Sequence, residues 1–441
     1  MKKLLLLFTF LLVLSSLLLV SCKKEEAESE DAPVIPSGTV VLNVYNWGEY
    51  ISDGSLGTLD VNGAFEEYYY KKTGIKVKVN YTTYATNEDM YSKITSGAGT
   101  YDIIIPSDYM IQKLKDEDML YAFDPASTVE NYENINAFFK DSPYYDPDNL
   151  YSVPYTYGMV GIIYNTTYVD PEDVEDESWG LMWNERYRGK ILQFNNPRDG
   201  FASAMYYLNI DVNSTDKADW DRALQKLLEQ KPLVQGYVSD EIFNKMTTGS
   251  AAIAAYYAGD YLTMANEEDG NTDLAFYYPK EGTNFFVDAM CIPKNAKQKE
   301  IAIEYINFML SEEIAVANAE YIGYASPNDL VKNNADYIEY MGEDAIEILY
   351  SVSPEEANAN YSHPDPAYHS FSPEIQSYVN ALWEQLKTES SIELWIHITS
   401  LILVASVLSM GVYSFYIKKK RSRHYRYRDR ELKKAKEAKG Q

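Results

Sequence analysis

Short apolar runs alternate with stretches of helical period through residues 39–116, and this alternation restricts the possible folds more than any other feature. TVVLNVYNW (39–47) is a strand candidate, and a helical stretch over 60–72 stops at Gly74. IKVKVNY (75–81) alternates with period two, as a half-buried strand does. Asn87 is a candidate N-cap for a helix that ends at Gly97. YDIIIP (101–106) is a continuous apolar run suited to a parallel sheet, and SDYMIQKLKDEDM (107–119) reads as the next helix. A βαβαβ series is an open, doubly wound α/β unit, and such sheets take ligands beyond the carboxyl ends of their strands. Trp47, Gly48, Glu49 and Tyr50 follow the first strand, and Pro106 to Tyr109 follow the third. Both clusters are therefore expected at one crevice.

After YSVPYTYGMVGIIYN (151–165) the pattern restarts, which predicts a second α/β lobe. GKILQF (189–194), LVQGYV (233–238) and AAIAAYY (251–257) read as strands. Helices are expected around 201–208 and 217–229, and over DEIFNKMTTG (240–249). DLAFYYPKEGTNFFVDAMCIP (273–293) predicts two strands joined by a Lys-Glu-Gly turn, and KQKEIAIEYINFMLS (297–311) an amphipathic helix.

Charge narrows the partners. Of 66 acidic and 39 basic residues, 63 and 25 lie within 4–417, so the body repels nucleic acid and attracts cations. Tyrosine is abundant, with 41 against 15 Phe and 6 Trp, and its apolar ring with a polar tip suits wet clefts. The two cysteines form no disulfide framework. Cys291 lies in an apolar run and reads as a buried thiol. The acidic segment 169–178 lacks a calcium-loop pattern and reads as a solvated loop.

The ends carry addressing signals. Residues 1–21 read as a secretory signal, and Leu19-Val20-Ser21-Cys22 resembles a bacterial lipobox with Cys22 as the lipidated residue. Residues 22–38 read as a disordered tether. Residues 394–417 contain no Asp, Glu, Lys or Arg and are long enough to cross a bilayer. The basic tail 418–441 places itself in the cytoplasm and the acidic body outside.

YNWGEYI, TGIKV, YDIIIPSDYMIQKL, SVPYTYG, YYAGD, YPKEGTNFFVDAMCIPKNAKQKE and YIGYASPN occur in this order across 39–389. Together they resemble the spermidine/putrescine-binding proteins of polyamine ABC transporters. The resemblance implies a two-lobed type II periplasmic-binding-protein fold, with lobe 1 from 39–156 and 288–333 and lobe 2 from 157–287 and 334–389. Hinge crossings are expected near 154–158, near 286–288 and near Asn334.

Carried over by position, the ligand-binding residues are Trp47, Glu49, Tyr50, Tyr109, Asp199, Tyr257, Asp260, Phe286, Asp288 and Tyr324. Tyr257 stands where the family usually has Trp. Three departures stand out: Gly48 replaces a hydroxyl residue, Asn196 sits where spermidine-type members have Asp, and HSFSPEIQSYVN (369–380) offers no clear match for a family glutamine. Asp260 matches the Asp of putrescine-type members, and with the Asp missing at 196 the resemblance leans toward putrescine-type or mixed selectivity. The implied partners are a polyamine, the permease subunits of an ABC importer, and the membrane through the Cys22 lipid or the C-terminal helix; a monomer is expected, with no cofactor and no metal.

The chemistry of the residues agrees with the resemblance. A polyamine needs aromatic walls for its methylenes and carboxylates for its ammonium groups. A binding protein for another cationic or small solute and a membrane-tethered polyamine sensor are the alternatives. The 24-residue tail is short for a signalling domain. His363 and His369 fall in a proline-containing loop and no catalytic triad or metal spacing occurs, so no enzyme is expected.

Overall fold

The computed structural model describes residues 38–388, apart from 141, 143–144, 267–269 and 364, together with 394–438. The expected signal segment, Cys22 and nearly all of the tether lie outside the described residues.

Nine strands form one mixed sheet: β1 (Val40–Trp47), β2 (Val77–Tyr84), β3 (Ile103–Ile104), β4 (Ser152–Asn165), β5 (Ile191–Phe194), β6 (Val234–Val238), β7 (Ile253–Tyr257), β8 (Leu274–Tyr277) and β9 (Phe285–Cys291). Their order is β2-β1-β3-β9-β4-β7-β5-β6, with β8 on β4. β1 pairs in parallel with β2 and β3, and β5 in parallel with β6 and β7, so each half of the sheet is a doubly wound unit.

Local signals explain the first half. Asp60 caps the helix Val61–Thr73 by accepting from the Gly63 amide, and Gly74 ends it at φ 74°, a conformation that costs glycine little. The next helix, Asn87–Thr95, is capped by Thr86, whose hydroxyl accepts from the Asp89 amide; Asn87 is its first residue rather than its cap. The cap is displaced because Asn87 is buried and donates to the Ser107 and Tyr109 hydroxyls.

β4 joins the two halves. Its residues 152–159 run antiparallel to β9, whereas 160–164 pair with β7 and 162–165 with β8. The register slips between Pro154 and Thr156, as expected where proline supplies no ladder donor. β8 and β9 do not form a hairpin with each other. Each lies against a different stretch of β4, and in the connection between them Gly282 adopts φ 113°, where a Cβ would meet Tyr361 at 2.8 Å.

Two cores flank this crossing. One gathers Leu42, Val44, Phe65, Ile103, Met290 and Tyr305; Cys291 is fully buried in it. The other gathers Ile162, Trp179, Phe201, Trp220, Ile253 and Trp383. The helix Ala335–Met341, just after Asn334, buries Tyr337 on Ala315, Ala319 and Val331. The next helix, Glu343–Tyr350, sets Ala345 and Leu349 on Leu262 and Ala325.

A single helix, Leu394–Ala438, runs through the apolar segment and on into the basic residues. Its stretch Leu401–Lys420 is long and apolar enough to cross a membrane, and none of it is buried.

Candidate functional site

A cleft of about 430 Å3 opens between the two cores, at the carboxyl ends of β1, β2 and β7. All ten residues singled out above line it. They fall into two acidic ends joined by an aromatic floor.

The first end is built around β9 and β4. Alternation along β9 turns Phe286 and Asp288 to the cleft. The Tyr50 hydroxyl donates to Asp288 Oδ2 at 2.7 Å and lies 2.7 Å from Thr156 Oγ1. Asp288 Oδ1 is buried without a hydrogen-bond partner among the described residues. Burial pushes this carboxyl up to about 6, against the pull of the Ser107 and Tyr50 hydroxyls. Ser107 is close enough to favour the charge but outside hydrogen-bond geometry, so Oδ1 stays open.

Asp260, in the first turn of the helix Ala258–Asn266, accepts from the Tyr324 hydroxyl at 2.9 Å. Burial pushes its carboxyl up to about 7, opposed by that hydrogen bond. Gly259 makes the approach possible: a Cβ there would sit 2.2 Å from the Tyr324 ring.

The second end is built on the helix Pro197–Tyr207. Asn196 caps it, accepting from the Asp199 amide at 2.9 Å, and its own amide donates to Asp199 Oδ2 at 2.8 Å. The Tyr257 hydroxyl donates to the same oxygen at 2.7 Å, and the Tyr368 hydroxyl donates to Oδ1 at 2.9 Å. Both oxygens of Asp199 thus have donors. Asn196, read from sequence as a lost carboxylate, is a cap and a donor.

Arg198 is buried between Tyr368 and Phe371, its guanidinium 4.3 and 3.9 Å from their ring centres. Among the described residues its Nε and Nη1 have no hydrogen-bond partner; Nη2 donates to Asn213 Oδ1 at 3.2 Å. Facing this end from the other core is Glu88, whose carboxylate accepts from the Tyr109 hydroxyl at 3.1 Å. Burial raises the Glu88 carboxyl; the Tyr109 bond and the Arg198 charge pull it down, while Asp199 adds to the rise.

The floor between the ends is aromatic. The Tyr257 and Phe286 rings meet edge to face at 5.4 Å, and Phe286 lies 6.1 Å from Tyr324. Trp47 packs on Tyr84 at 4.6 Å. Glu49 differs from the other carboxylates. It is exposed at the rim, its backbone at φ 51°, and it accepts from Tyr321 at 3.2 Å.

Among the lining residues that the sequence did not single out are Glu88, Arg198, Asp240 and Tyr368. Glu88 follows β2 directly, which is where an open sheet places ligands, so strand-end logic could have found it. Arg198 and Asp240 also line the cleft. The C-terminal segment enters the cleft through Tyr368, one residue before the stretch that could not be matched.

A family described as bacterial extracellular solute-binding proteins matches residues 64–342. The chain belongs to this family. Among characterised relatives, the spermidine/putrescine-binding periplasmic protein of Escherichia coli K12 is 34% identical over 280 residues, covering 63% of this chain and 75% of that protein. The putrescine-binding periplasmic protein of the same organism is 27% identical over 286 residues, covering 62% and 74%. A solved structure of a putative spermidine/putrescine ABC transporter protein from Listeria monocytogenes superposes with a TM-score of 0.66 at 32% identity, covering 79% of this chain and 99% of that one. The spermidine/putrescine substrate-binding protein of Streptococcus pneumoniae gives 0.62 at 33%, covering 79% and 98%. The mixed α/β architecture of this solute-binding protein therefore matches the type II periplasmic-binding fold.

Proposed function

We propose that this solute-binding protein captures a polyamine of the putrescine or spermidine class outside the membrane and delivers it to an ABC import permease. The observation that carries the reading is the pairing of carboxylates from both lobes with an aromatic floor. All four carboxylates line the cleft with Tyr257 and Phe286: the Tyr50 and Tyr324 rings, 5.5 Å apart, connect Asp288 with Asp260, and the Tyr109 and Tyr368 rings, 6.2 Å apart, connect Glu88 with Asp199. Among the described residues, the one basic side chain lining the cleft is Arg198, held against its own aromatic rings. A linear polycation satisfies such a site: its methylenes lie on the rings and its ammonium groups meet the carboxylates. The open Asp288 Oδ1 supports it further, since a buried carboxylate oxygen without a donor is costly until a ligand donor fills it.

Ligand shifts the population of lobe arrangements toward the one in which both walls touch it, by as much as its affinities for the two differ. The ten lining residues are the ligand contacts in this reading. β4 and β9 are the hinge strands. The chain is a monomer held at the outer face of the cell membrane by a lipid on Cys22 and by the helix around 401–420, with the basic tail in the cytoplasm; the apolar span and the basic residues after it support this arrangement.

Calorimetry on the full chain in detergent, against putrescine, spermidine, spermine and glucose, tests the proposal. Saturable binding of at least one polyamine and none of glucose is expected. The absence of binding with all three amines would refute it.

A further inference from the structure

Glu88 has no place among the contacts expected from the sequence, yet it lines the same cleft as Asp199, close enough for the two charges to act on each other. Two tyrosines connect them. Tyr109, from the first core, donates to Glu88 at 3.1 Å, and Tyr368, from the second, donates to Asp199 at 2.9 Å. The two rings meet edge-on with centres 6.2 Å apart. Glu88 and Asp199 are thus like charges supplied by opposite lobes at one end of the cavity.

Arg198 lies beside both tyrosines, with its guanidinium 5.7 Å from the Tyr109 ring centre and 4.3 Å from that of Tyr368. Two carboxylates and one guanidinium leave a net charge of minus one, which a single ammonium neutralises. Asp199 already takes Asn196 and Tyr257 on Oδ2 and Tyr368 on Oδ1, which leaves Oδ1 able to accept one more. Among the described residues, the side-chain donor to Glu88 is the Tyr109 hydroxyl, on Oε1, and its own backbone amide also favours the charge; a carboxylate with about four acceptor sites has room for a ligand donor as well.

We infer that Glu88 is the lobe 1 acceptor for a terminal ammonium of the bound polyamine, held between Glu88 and Asp199 as the lobes meet. This deepens the proposed function and rests on it. Glu88 thereby supplies, from the other lobe, the carboxylate that Asn196 does not. It makes the second end of the cleft a two-lobe site rather than a patch of lobe 2, and an amine there links the lobes directly.

Glu88→Gln keeps the shape and the Tyr109 bond but removes the charge. Calorimetry with putrescine and spermidine on the full-length wild type, Glu88→Gln and Glu88→Asp tests the assignment. Glu88→Gln is expected to weaken the tighter amine by about tenfold or more, as the loss of a charge-assisted hydrogen bond does. Glu88→Asp is expected to recover most of that loss, which a merely structural role would not require. The ligand-free melting temperature of Glu88→Gln is expected to equal or exceed that of the wild type. Affinity in Glu88→Gln within twofold of a wild type that binds polyamines would overturn this inference alone. A wild type that binds no polyamine would bring down the underlying function and this inference with it.

Discussion

The two ends of the cleft hold the same kind of group in opposite states of completion. Asp288 has one oxygen on Tyr50 and the other buried without a donor among the described residues. Asp199 has Asn196 and Tyr257 on one oxygen and Tyr368 on the other. The first end costs the ligand-free protein free energy, because a desolvated acceptor lacks its partner. The second is preorganised: neutral donors hold the charge in place before any ligand arrives. The same residue type therefore has an oxygen without a protein donor at one end and donors on both oxygens at the other.

Charge-neutralising changes test this most strongly. Asp288→Asn is expected to weaken polyamine binding by about 1.5–3 kcal/mol, or roughly 10–150-fold, while the ligand-free melting temperature holds or rises. Asp199→Asn should weaken binding comparably but lower the ligand-free melting temperature by a few degrees, because it disturbs a completed network. Calorimetry with thermal melts separates the two. Equal melting shifts would erase the distinction between the ends.

Acidity sharpens the contrast next. The Asp288 and Asp260 carboxyls are raised to about 6 and about 7 from an ordinary value of 3.8. For a carboxyl raised by folding, the ligand-free protein loses stability as pH climbs from 3.8 through the raised value, since the native state must then carry the buried charge. A cationic ligand favours the ionised form. Affinity is therefore expected to rise from pH 5 to about 8 and level off above, with proton release on binding below that plateau. Calorimetry in buffers of different ionisation enthalpy measures this, and Asp288→Asn should flatten the acid limb.

Smaller effects are expected from the hydroxyls. Tyr257→Phe and Tyr368→Phe each remove one donor from Asp199 and should cost about 1 kcal/mol in binding, close to fivefold, measured by titration at constant salt. Least is expected of Glu49→Gln. An exposed rim carboxylate is screened, so the change should stay within about twofold at physiological salt and grow only at low ionic strength.

Much of this architecture is readable along the chain because it is local. Period-two alternation marks β2, apolar runs mark β1 and β7, and Asp60 and Gly74 bracket a helix by cap chemistry. The Trp-Gly-Glu-Tyr run at the end of β1 announces a crevice because open sheets place ligands there. Other parts are not readable this way. Glu88 lies in the first turn of a helix, where a carboxylate is already favoured by the helix dipole and signals nothing further. Tyr368 lies in an irregular loop with no period to read. Asn196 looks like an absent charge until its cap bonds are seen.

The sequence by itself determined the strand and helix order, the acidic and tyrosine-rich character of the body, and the strand-end clusters, since propensity, periodicity and capping act over a few residues. Only the tertiary structure decided that β8 and β9 share β4, that Asp288 keeps an oxygen without a donor among the described residues while Asp199 does not, and that Glu88 and Asp199 line one cleft. Those outcomes depend on which distant groups burial brings together. Hydrogen-bond completion and desolvation are properties of that assembled neighbourhood, not of any one segment.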